Sequence, residues 1–379
     1  MAVPPFDVTA LRRHPDVEAP NLQAWDATDR YLLDLAAERV AADPSLRAPG
    51  AVTVIGDRHG ALSLGARLQL GAATVRSHQD GLLGERAIAA NAARLGVDGI
   101  EQLPLGRALV DGARLVLLQL PRANAALDEQ AALIAAGAAS DVVVLAGGRV
   151  KHMSRTQTGV LSEHFRIVDA TLARQKSRVL LASGPVPGVG RSYPERRVDA
   201  ELGIEIIAHG AAFNGTGLDL GTRELLGQLH LLQRTEGRAV DLGCGTGVLA
   251  VELARRFPSL SVLATDQSLA AVDSATATVS AAGLRDRVRV VRDDGLSAQA
   301  DDSAELVLLN PPFHIGAAVH TGLAERLFAD ASRVLVPGGE LWTVWNSHLG
   351  YRGALERLVG PTEQLHRTPK FTVTRSLAR

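Results

Sequence analysis

The segment from Val240 to Gly247, read V-D-L-G-C-G-T-G, constrains the fold more than any other part of the chain. An apolar run enters it and an amphipathic segment leaves it, which predicts a strand, a glycine turn and the start of a helix. The glycines are spaced G-x-G-x-G, unlike the G-x-G-x-x-G of dinucleotide folds. Asp241 places a carboxylate inside the turn. It would repel a pyrophosphate and suits a ligand with an amino cation, so the turn predicts a ligand site of that kind.

The next three apolar runs also end in polar residues. Asp266 follows the second predicted strand, where an acid can accept both hydroxyls of a ribose. Asp293 and Asp294 follow the third, where a carboxylate can reach an adenine amine, and Asn310 opens an N-P-P-F motif after the fourth. Polar strand ends in this order indicate a crevice on a doubly wound sheet. The joint spacing is typical of a class I S-adenosylmethionine-dependent methyltransferase.

Length and composition limit the alternatives. The 379 residues predict two domains, and a formal net charge of −1 excludes a globally basic nucleic-acid binder. Cys244 is the only cysteine in the sequence, which excludes an internal disulfide and a cysteine metal site and fits a reducing cytoplasm. We read Cys244 as a packing residue. No apolar run is long enough for a membrane span and the start lacks a signal-peptide layout. We therefore expect a cytoplasmic monomer with no metal and no obligate protein partner.

The sequence also contains an internal repeat. Residues 56–96 match residues 243–283 at an offset of 187, with glycines coinciding at both ends. The first copy lacks the residues expected to bind the ligand. Val54 replaces Asp241, Arg58 replaces Gly245 and Gln79 replaces Asp266. At a slightly larger offset, the N-P-P-F motif lies over Leu120 to Ala123, where only the first proline survives. The alternative is two unrelated α/β domains with chance glycine matches.

The repeat leads to a specific fold prediction. We expect an α/β protein with two tandem class I (Rossmann-like) methyltransferase domains on mostly parallel seven-stranded sheets. Residues 1–190 form a degenerate domain for RNA recognition or scaffolding, and residues 191–379 form the catalytic domain. Each is predicted to end in an antiparallel pair, at 166–168 with 178–182 and at 364–366 with 371–375. The glycine- and proline-rich stretch 183–194 is read as a linker.

Positive charge is concentrated between Arg149 and Arg197, with ten basic residues against three acids. A strip of this kind can lie along an RNA backbone, because phosphate contacts supply most non-specific affinity. The alternative is a solvated edge hairpin. The expected RNA contacts are Arg149, Lys151, Arg174, Lys176 and Arg178.

A glycine-rich segment precedes the catalytic turn. Thr222 is predicted to cap a helix from Glu224 to Gln233. We expect Phe213 and the stretch from Leu218 to Thr222 to cover the cofactor cleft, as a lid and part of the methionine pocket.

The N-P-P-F motif bears on the methyl acceptor. The Asn310 side-chain oxygen and the Pro311 carbonyl can both accept hydrogen bonds from one planar NH₂, while Pro312 stiffens the backbone. Two fixed acceptors favour a pyramidal nitrogen whose lone pair faces the methyl donor, a contribution of orientation. Phe313 can stack a base that is flipped out of its helix, worth roughly 1–3 kcal/mol. His314 either contacts the base or its ribose, or is an ordinary loop histidine.

With these motifs, the chain resembles the ribosomal RNA guanine-N2 methyltransferases of the small and large subunits, and most closely the large-subunit branch. The resemblance rests on the segments D-L-G-C-G-T-G (241–247), N-P-P-F-H (310–314), G-E-L (339–341), N-S-H-L (346–349) and G-L-D-L-G (217–221). It extends into the first half through L-Q-L-P (118–121), 124–127 and T-L-A-R-Q-K (171–176).

The resemblance implies a 23S rRNA guanine as acceptor, S-adenosylhomocysteine as product and a non-catalytic first domain that helps to hold RNA. Asp293 and Asp294 depart from the family pattern, which has an asparagine there. The residues expected to bind the cofactor are Asp241, Gly243, Cys244, Gly245, Thr246, Gly247, Asp266, Gln267, Asp293, Asp294, Asn310, Phe213 and Thr222.

Two other functions remain open from the sequence. An N6-adenine or glutamine-amide methyltransferase shares the amine nucleophile, although those groups usually carry tyrosine or tryptophan at the position of Phe313. A catalytically silent RNA-binding or assembly protein is the alternative from another class. Intact acids at Asp241 and Asp266 and an intact Asn310 argue against it.

Overall fold

The structure is a computed structural model that describes residues 6–19, 21–311 and 317–379. The chain forms two compact units, Met1–Tyr193 and Pro194–Arg379. Each unit contains one seven-stranded sheet, and the second also contains a separate two-stranded hairpin.

The first unit alternates strands and helices in the manner of a parallel α/β fold. Its strands are β1 Val52–Ile55, β2 Val75–His78, β3 Ile100–Gln102, β4 Leu115–Gln119, β5 Val143–Arg149, β6 Phe165–Ala170 and β7 Ser177–Pro185. Its helices are α1 Ala27–Ala42, α2 Ala61–Leu68, α3 Leu82–Leu95, α4 Arg107–Val110, α5 Asn124–Gly137 and α6 Arg155–His164.

The second unit repeats this pattern after an added hairpin. Its strands are β8 Glu195–Asp199, β9 Ile204–Ala208, β10 Glu236–Leu242, β11 Ser259–Asp266, β12 Val288–Arg292, β13 Ala304–Leu309, β14 Leu335–Asn346, β15 Thr362–Arg367 and β16 Phe371–Leu377. Its helices are α7 Leu220–Gln228, α8 Val248–Arg256, α9 Leu269–Ala281, α10 Ala317–Val334 and α11 Arg352–Leu358.

The two seven-stranded sheets have the same strand order. The first runs β3-β2-β1-β4-β5-β7-β6 and the second β12-β11-β10-β13-β14-β16-β15. In both, only the next-to-last strand, β7 or β16, runs antiparallel to its two neighbours. The central strands are short apolar runs buried on both faces, as parallel strands covered by helices should be. The predicted fold class and both antiparallel edge pairs are confirmed.

The repeat is visible in backbone geometry. Gly60 and Gly247 occupy matched positions immediately before α2 and α8, with φ of 101° and 79°. Strand register corrects one part of the alignment. Ile55 and Leu242 are counterparts in the repeat, and they pair with Leu118 and Leu309. Leu118 therefore corresponds to Leu309, and the residues that follow, Gln119 and Asn310, correspond to each other. The sequence alignment had placed Asn310 over Leu120.

The structure differs from the sequence predictions around the stretch between the two units. The stretch read as a linker begins later, because β7 continues to Pro185 as the long partner of β5 and β6. The β8–β9 hairpin was missed. It packs on α9, where Thr278 and Ser274 hydroxyls accept N–H bonds from β9 residue Ile207 and from His209. Among the described residues no helix is long and apolar enough to cross a membrane.

Candidate active site

Asp241 lies near the end of the central strand β10 and is fully buried. Its Oδ2 accepts the N–H of Ala250 in the first turn of α8 at 2.9 Å. Its Oδ1 has no hydrogen-bond partner among the described residues. Burial, and after it the negative charge of Asp266, raises the pKa of Asp241 to about 7. A buried carboxylate oxygen without a partner is costly, and a cationic donor would relieve that cost.

The glycines of the turn have distinct roles. Gly243, Gly245 and Gly247 all have positive φ, at 73°, 53° and 79°. A Cβ on Gly243 or Gly245 would meet none of the described residues within 4 Å, whereas one on Gly247 would lie 3.0 Å from the Cβ of Ala275. Gly247 therefore allows α8 and α9 to approach closely. The first two glycines leave open space in front of the turn, as a site for a ligand requires.

Asp266 fixes this turn from the neighbouring strand. Its Oδ2 accepts the Gly245 N–H at 3.1 Å and its Oδ1 the Ser268 N–H at 2.9 Å. These contacts orient the carboxylate at the end of β11, the place where an acid can accept the hydroxyls of a ribose.

Three further residues predicted to bind the cofactor lie in the two loops. Cys244 and Thr246 are buried and Gln267 is half-buried. Burial raises the pKa of the Cys244 thiol well above its ordinary value, which keeps it protonated and makes it a poor nucleophile.

The two acids after β12 are both engaged within the protein. Asp293 is buried, and its oxygens accept the Ser297 hydroxyl at 2.7 Å and the Ala298 N–H at 3.1 Å. Asp294 forms a two-point ion pair with Arg326 of α10, at 2.6 and 3.1 Å. The predicted contact of these carboxylates with an adenine stays a prediction. In the structure Asp293 closes a turn, and Asp294 is paired with an arginine that the sequence reasoning did not identify.

Asn310, directly after β13, has a defined orientation. Its Nδ2 donates to Asp219 Oδ2 at 2.8 Å and to Thr222 Oγ1 at 3.1 Å. Asp219 Oδ2 also accepts the Thr222 N–H at 3.0 Å, so it acts as an acceptor and the NH₂ side of the amide must face it. Asn310 Oδ1 is buried and has no partner among the described residues. The amide is thus held by its donor side, with its acceptor side available.

Asp219 and Gly221 of the start of α7 position this amide. Asp219, and not Thr222, caps the helix, which begins at Leu220 and ends at Gln228 instead of spanning Glu224 to Gln233. The pattern D-x-x-T favours this cap, because an aspartate accepts the N–H three residues later. A Cβ on Gly221 would lie 3.2 Å from Asn310 Oδ1. The predicted lid residues Leu218–Thr222 therefore include direct partners of the N-P-P-F motif.

The rest of the predicted acceptor motif is described only in part. Pro311 is buried after Asn310, while Pro312, Phe313 and His314 fall outside the residues that the structure describes. Phe213 is 57% exposed.

The basic strip does not behave as one unit. Arg174 is paired with Asp34 at 2.6 Å and faces the Tyr31 ring. Lys176 and Arg178 are exposed at the start of β7, opposite the end of β5 that carries Arg149. Residues 196 and 197 belong to the β8–β9 hairpin.

These observations fit a sulfonium nucleoside carrying an amino acid group. Asp241 would hold a cationic amine through its free oxygen, Asp266 would hold a ribose, and the space before Gly243 and Gly245 admits the ligand. Asn310, at the end of the next strand, offers an acceptor to a second molecule. Donor and acceptor positions at neighbouring strand ends define a group-transfer site at the carboxyl edge of a class I methyltransferase sheet.

Comparisons with known proteins agree with this class. Residues 203–375 match the model of the methyltransferase small domain, and residues 3–185 match that of the RLMG N-terminal domain. A 16S rRNA N2 methyltransferase from T. thermophilus, solved with AdoMet and guanosine, superimposes with a TM-score of 0.75. The match covers 96% of this chain and 97% of that one at 20% identity, which establishes a shared two-domain fold.

Sequence relatives identify the family. The ribosomal RNA large subunit methyltransferase G of Pseudomonas syringae is 38% identical over 99% of both chains. The same-named protein of Pseudomonas aeruginosa is 38% identical over 98% of both. The chain belongs to this family of methyltransferases, and the resemblance found in the sequence, including its large-subunit side, is confirmed.

Proposed function

We propose that the protein transfers a methyl group from S-adenosylmethionine to the exocyclic N2 amine of a guanine in large-subunit (23S) rRNA. The observation that carries this proposal is the Asn310 amide, fixed through its NH₂ by Asp219 and Thr222 with its buried Oδ1 unpartnered. The relatives' name and the guanosine in the solved neighbour support the same substrate class.

The chain's own residues act on the acceptor amine. An exocyclic amine conjugated with a purine ring is a weak nucleophile because its lone pair is delocalised. Asn310 Oδ1 and the adjacent Pro311 carbonyl accept its two N–H bonds and direct the lone pair away from the ring plane. Because the amide is already oriented, little free energy is spent on ordering it during the reaction.

When bound, S-adenosylmethionine would supply an electrophilic methyl group for a new carbon–nitrogen bond and would leave as S-adenosylhomocysteine. Asp241 would hold the ligand's amine and Asp266 its ribose. The methylated nitrogen then loses one proton, which needs no strong base because a cationic aryl-type amine is very acidic. We assign stacking of the flipped base to Phe313, and the base or ribose contact to His314.

The decisive experiment combines two measurements. Purified protein is incubated with labelled S-adenosylmethionine and rRNA from a strain lacking its gene, and the product nucleosides are separated by mass spectrometry. The same rRNA is mapped with and without a plasmid that restores the gene. We expect one N2-methylguanosine restored in 23S rRNA. Detection of N6-methyladenosine, of a methylated position in 16S rRNA or of methylated protein instead would contradict this proposal. A complete lack of methyl transfer would favour a catalytically silent binding protein.

A further inference from the structure

The carboxyl edge of the first sheet carries positive charge where the second sheet carries acids. Arg58 follows β1, Arg122 follows β4, and Arg149 and Lys151 lie at the end of β5 and just beyond. The three strands are adjacent and parallel, with Ile55, Leu118 and Ala146 on one rung. Lys176 joins them where β7 begins. These five residues are called the cation cluster below.

The cluster is brought together by backbone contacts and register. The Lys176 carbonyl accepts the N–H of Val150 at 2.9 Å, and Arg149 pairs with the first residue of β7. The pKa of His152 indicates that these cations lie close together. It is lowered by partial desolvation and then by the charges of four neighbouring cations, which are Lys151, Arg122, Arg58 and Arg149. The strand ends and the local field thus identify the same place.

Four of the five cations are open to a ligand. Arg58, Lys151 and Lys176 are exposed and Arg149 is half-buried. No ion pair to any of these four occurs in the part of the chain that the structure describes. By contrast, Arg174, which the sequence placed in the same strip, already has Asp34 as its partner.

The acids at this edge do not neutralise the cluster. Both oxygens of Asp57 accept backbone N–H groups, and burial raises its pKa. Burial, followed by the charges of Asp26 and Asp57, raises the pKa of Asp29 to about 8, so at neutral pH this side chain mostly keeps its proton. Asp80 follows β2, which lies on the other side of β1 from β4 and β5.

We propose that the cation cluster is a phosphate-binding site that holds the backbone of the rRNA substrate at the carboxyl edge of the first sheet. Four adjacent strand ends, spaced about 4.8 Å apart, spread the charge over about 14 Å. That width fits an extended polyanion better than one small anion. The corresponding edge of the second sheet carries the turn to which we assign the cofactor, and Arg58 stands at the position of Gly245 in that turn. The first unit thus has a site for an anionic ligand where the second has a site for a cationic one.

The inference rests on the proposed rRNA substrate, and its test is separate from methyl transfer. Binding of a 23S rRNA transcript and of a mixed-sequence 20-nucleotide RNA is measured for the full chain over a range of salt. The test variant is Arg58→Glu with Lys151→Glu, and the control is Arg39→Glu. Arg39 is also exposed, but it lies ten residues along α1 from Asp29, about 15 Å toward the opposite edge.

We expect the double variant to lose roughly tenfold or more in RNA affinity, and its log–log salt slope to flatten by about 0.7 per lost contact. Cofactor affinity, measured by calorimetry, should stay unchanged. Unchanged RNA binding in the double variant, or an equal loss in Arg39→Glu, overturns the site. If the double variant loses only the thermal shift caused by inorganic phosphate, the site takes a small anion and the assignment to RNA is wrong. If the wild type binds RNA through the cluster but methylates no rRNA, the methylation proposal fails and this one stands.

Discussion

The two units satisfy the same backbone group with carboxylates from different places. In the second unit, Asp241 of the central strand accepts the N–H of Ala250, the third residue of α8, and leaves Oδ1 without a partner. In the first unit the matching N–H belongs to Ser63, and Asp57 of the loop accepts it at 2.7 Å. The other oxygen of Asp57 accepts the Gly60 N–H at 2.9 Å. Both oxygens of Asp57 are thus used by backbone N–H groups, whereas Asp241 uses one oxygen for the helix and keeps the other for a ligand.

A second matched pair shows the same contrast. Gln119 donates to Asp29 at the start of α1, as Asn310 donates to Asp219 at the start of α7. A Cβ on Gly56, however, would lie 3.2 Å from the backbone carbonyl oxygen and 3.3 Å from the Cβ of Gln119, whereas one on the matching Gly243 would meet none of the described residues within 4 Å. The chain after β4 therefore lies closer to the first turn than the described chain after β13 lies to the second. The duplicated framework is retained in both units, and what separates them is which polar atoms are already used.

The largest expected effect comes from removing the amide in the second unit. Asn310→Ala deletes the fixed acceptor for the amine, and we expect kcat to fall by roughly 10²- to 10³-fold or more, by analogy with loss of one preorganised polar group in other active sites. Cofactor affinity should stay within a few-fold, because the free oxygen is assigned to the acceptor base. The matched variant Gln119→Ala should lower thermal stability and leave kcat unchanged in the folded protein. Equal loss of turnover in both variants would remove the distinction between the units.

The next largest effect is expected from removing the negative charge of Asp241 or of Asp57. Asp241→Asn can still accept the Ala250 N–H but presents an NH₂ in place of the free oxygen. We expect cofactor affinity to fall by about 10- to 100-fold, the loss of one hydrogen bond to a charged group. Asp57→Asn should leave that affinity unchanged and destabilise the fold, because one of two backbone donors loses its acceptor. Calorimetry should find one site per wild-type chain. A second site, or one abolished by Arg58→Ala, would show that the first unit also binds cofactor.

A glycine pair within α7 tests the positioning of Asn310 more gently. Gly221→Ala introduces a Cβ 3.1–3.2 Å from Asp219 Oδ2 and Asn310 Oδ1, so one of them must shift by a few tenths of an ångström. We expect kcat to fall by roughly tenfold, since misplacement of a reacting group by 1 Å costs about 10². Gly227→Ala lies on the same helix in open space and should keep full activity while stabilising the helix by up to about 1 kcal/mol. Identical kinetics for the two variants would mean that Gly221 does not position the amide.

The sequence predicted the sheets because strands with strong apolar patterns and acids at their ends leave few other arrangements. It placed Asp241, Asp266 and Asn310 at one edge correctly in the fold, through the repeat and the spacing of strand ends. It could not show that Asp294 is held by Arg326, since these residues are 32 positions apart and depend on how α10 packs. The error at Gln119 arose because the larger offset assigned to this part of the repeat was one residue too short, which only strand register reveals. The role of Asp219 was accessible from its D-x-x-T pattern and was missed.

The smallest expected effect is a dependence of stability on pH that comes from two buried carboxyl groups, one in each unit. The pKa of Asp241 is raised to about 7 and that of Asp29 to about 8, both by burial first. A raised carboxyl pKa means that the unliganded fold binds a proton that the unfolded chain releases near pH 4. The free energy of unfolding therefore falls as pH rises from about 4 to about 7 for Asp241, and on to about 8 for Asp29. Urea unfolding across this range should show the decline, which Asp241→Asn should reduce.

Only the second-unit carboxyl should respond to the cofactor. A cationic amine at Asp241 favours its ionised form, so binding near pH 6 should release up to one proton, and affinity should rise with pH until it levels above about 7. Calorimetry in two buffers with different ionisation enthalpies measures the protons released. The release should vanish in Asp241→Asn, where no carboxyl remains to lose one. Asp29 lies in the unit that we expect not to bind the cofactor and should contribute none. Proton release that persists in Asp241→Asn would show that another group senses the ligand, and the assignment of the free oxygen to the cofactor amine would be wrong.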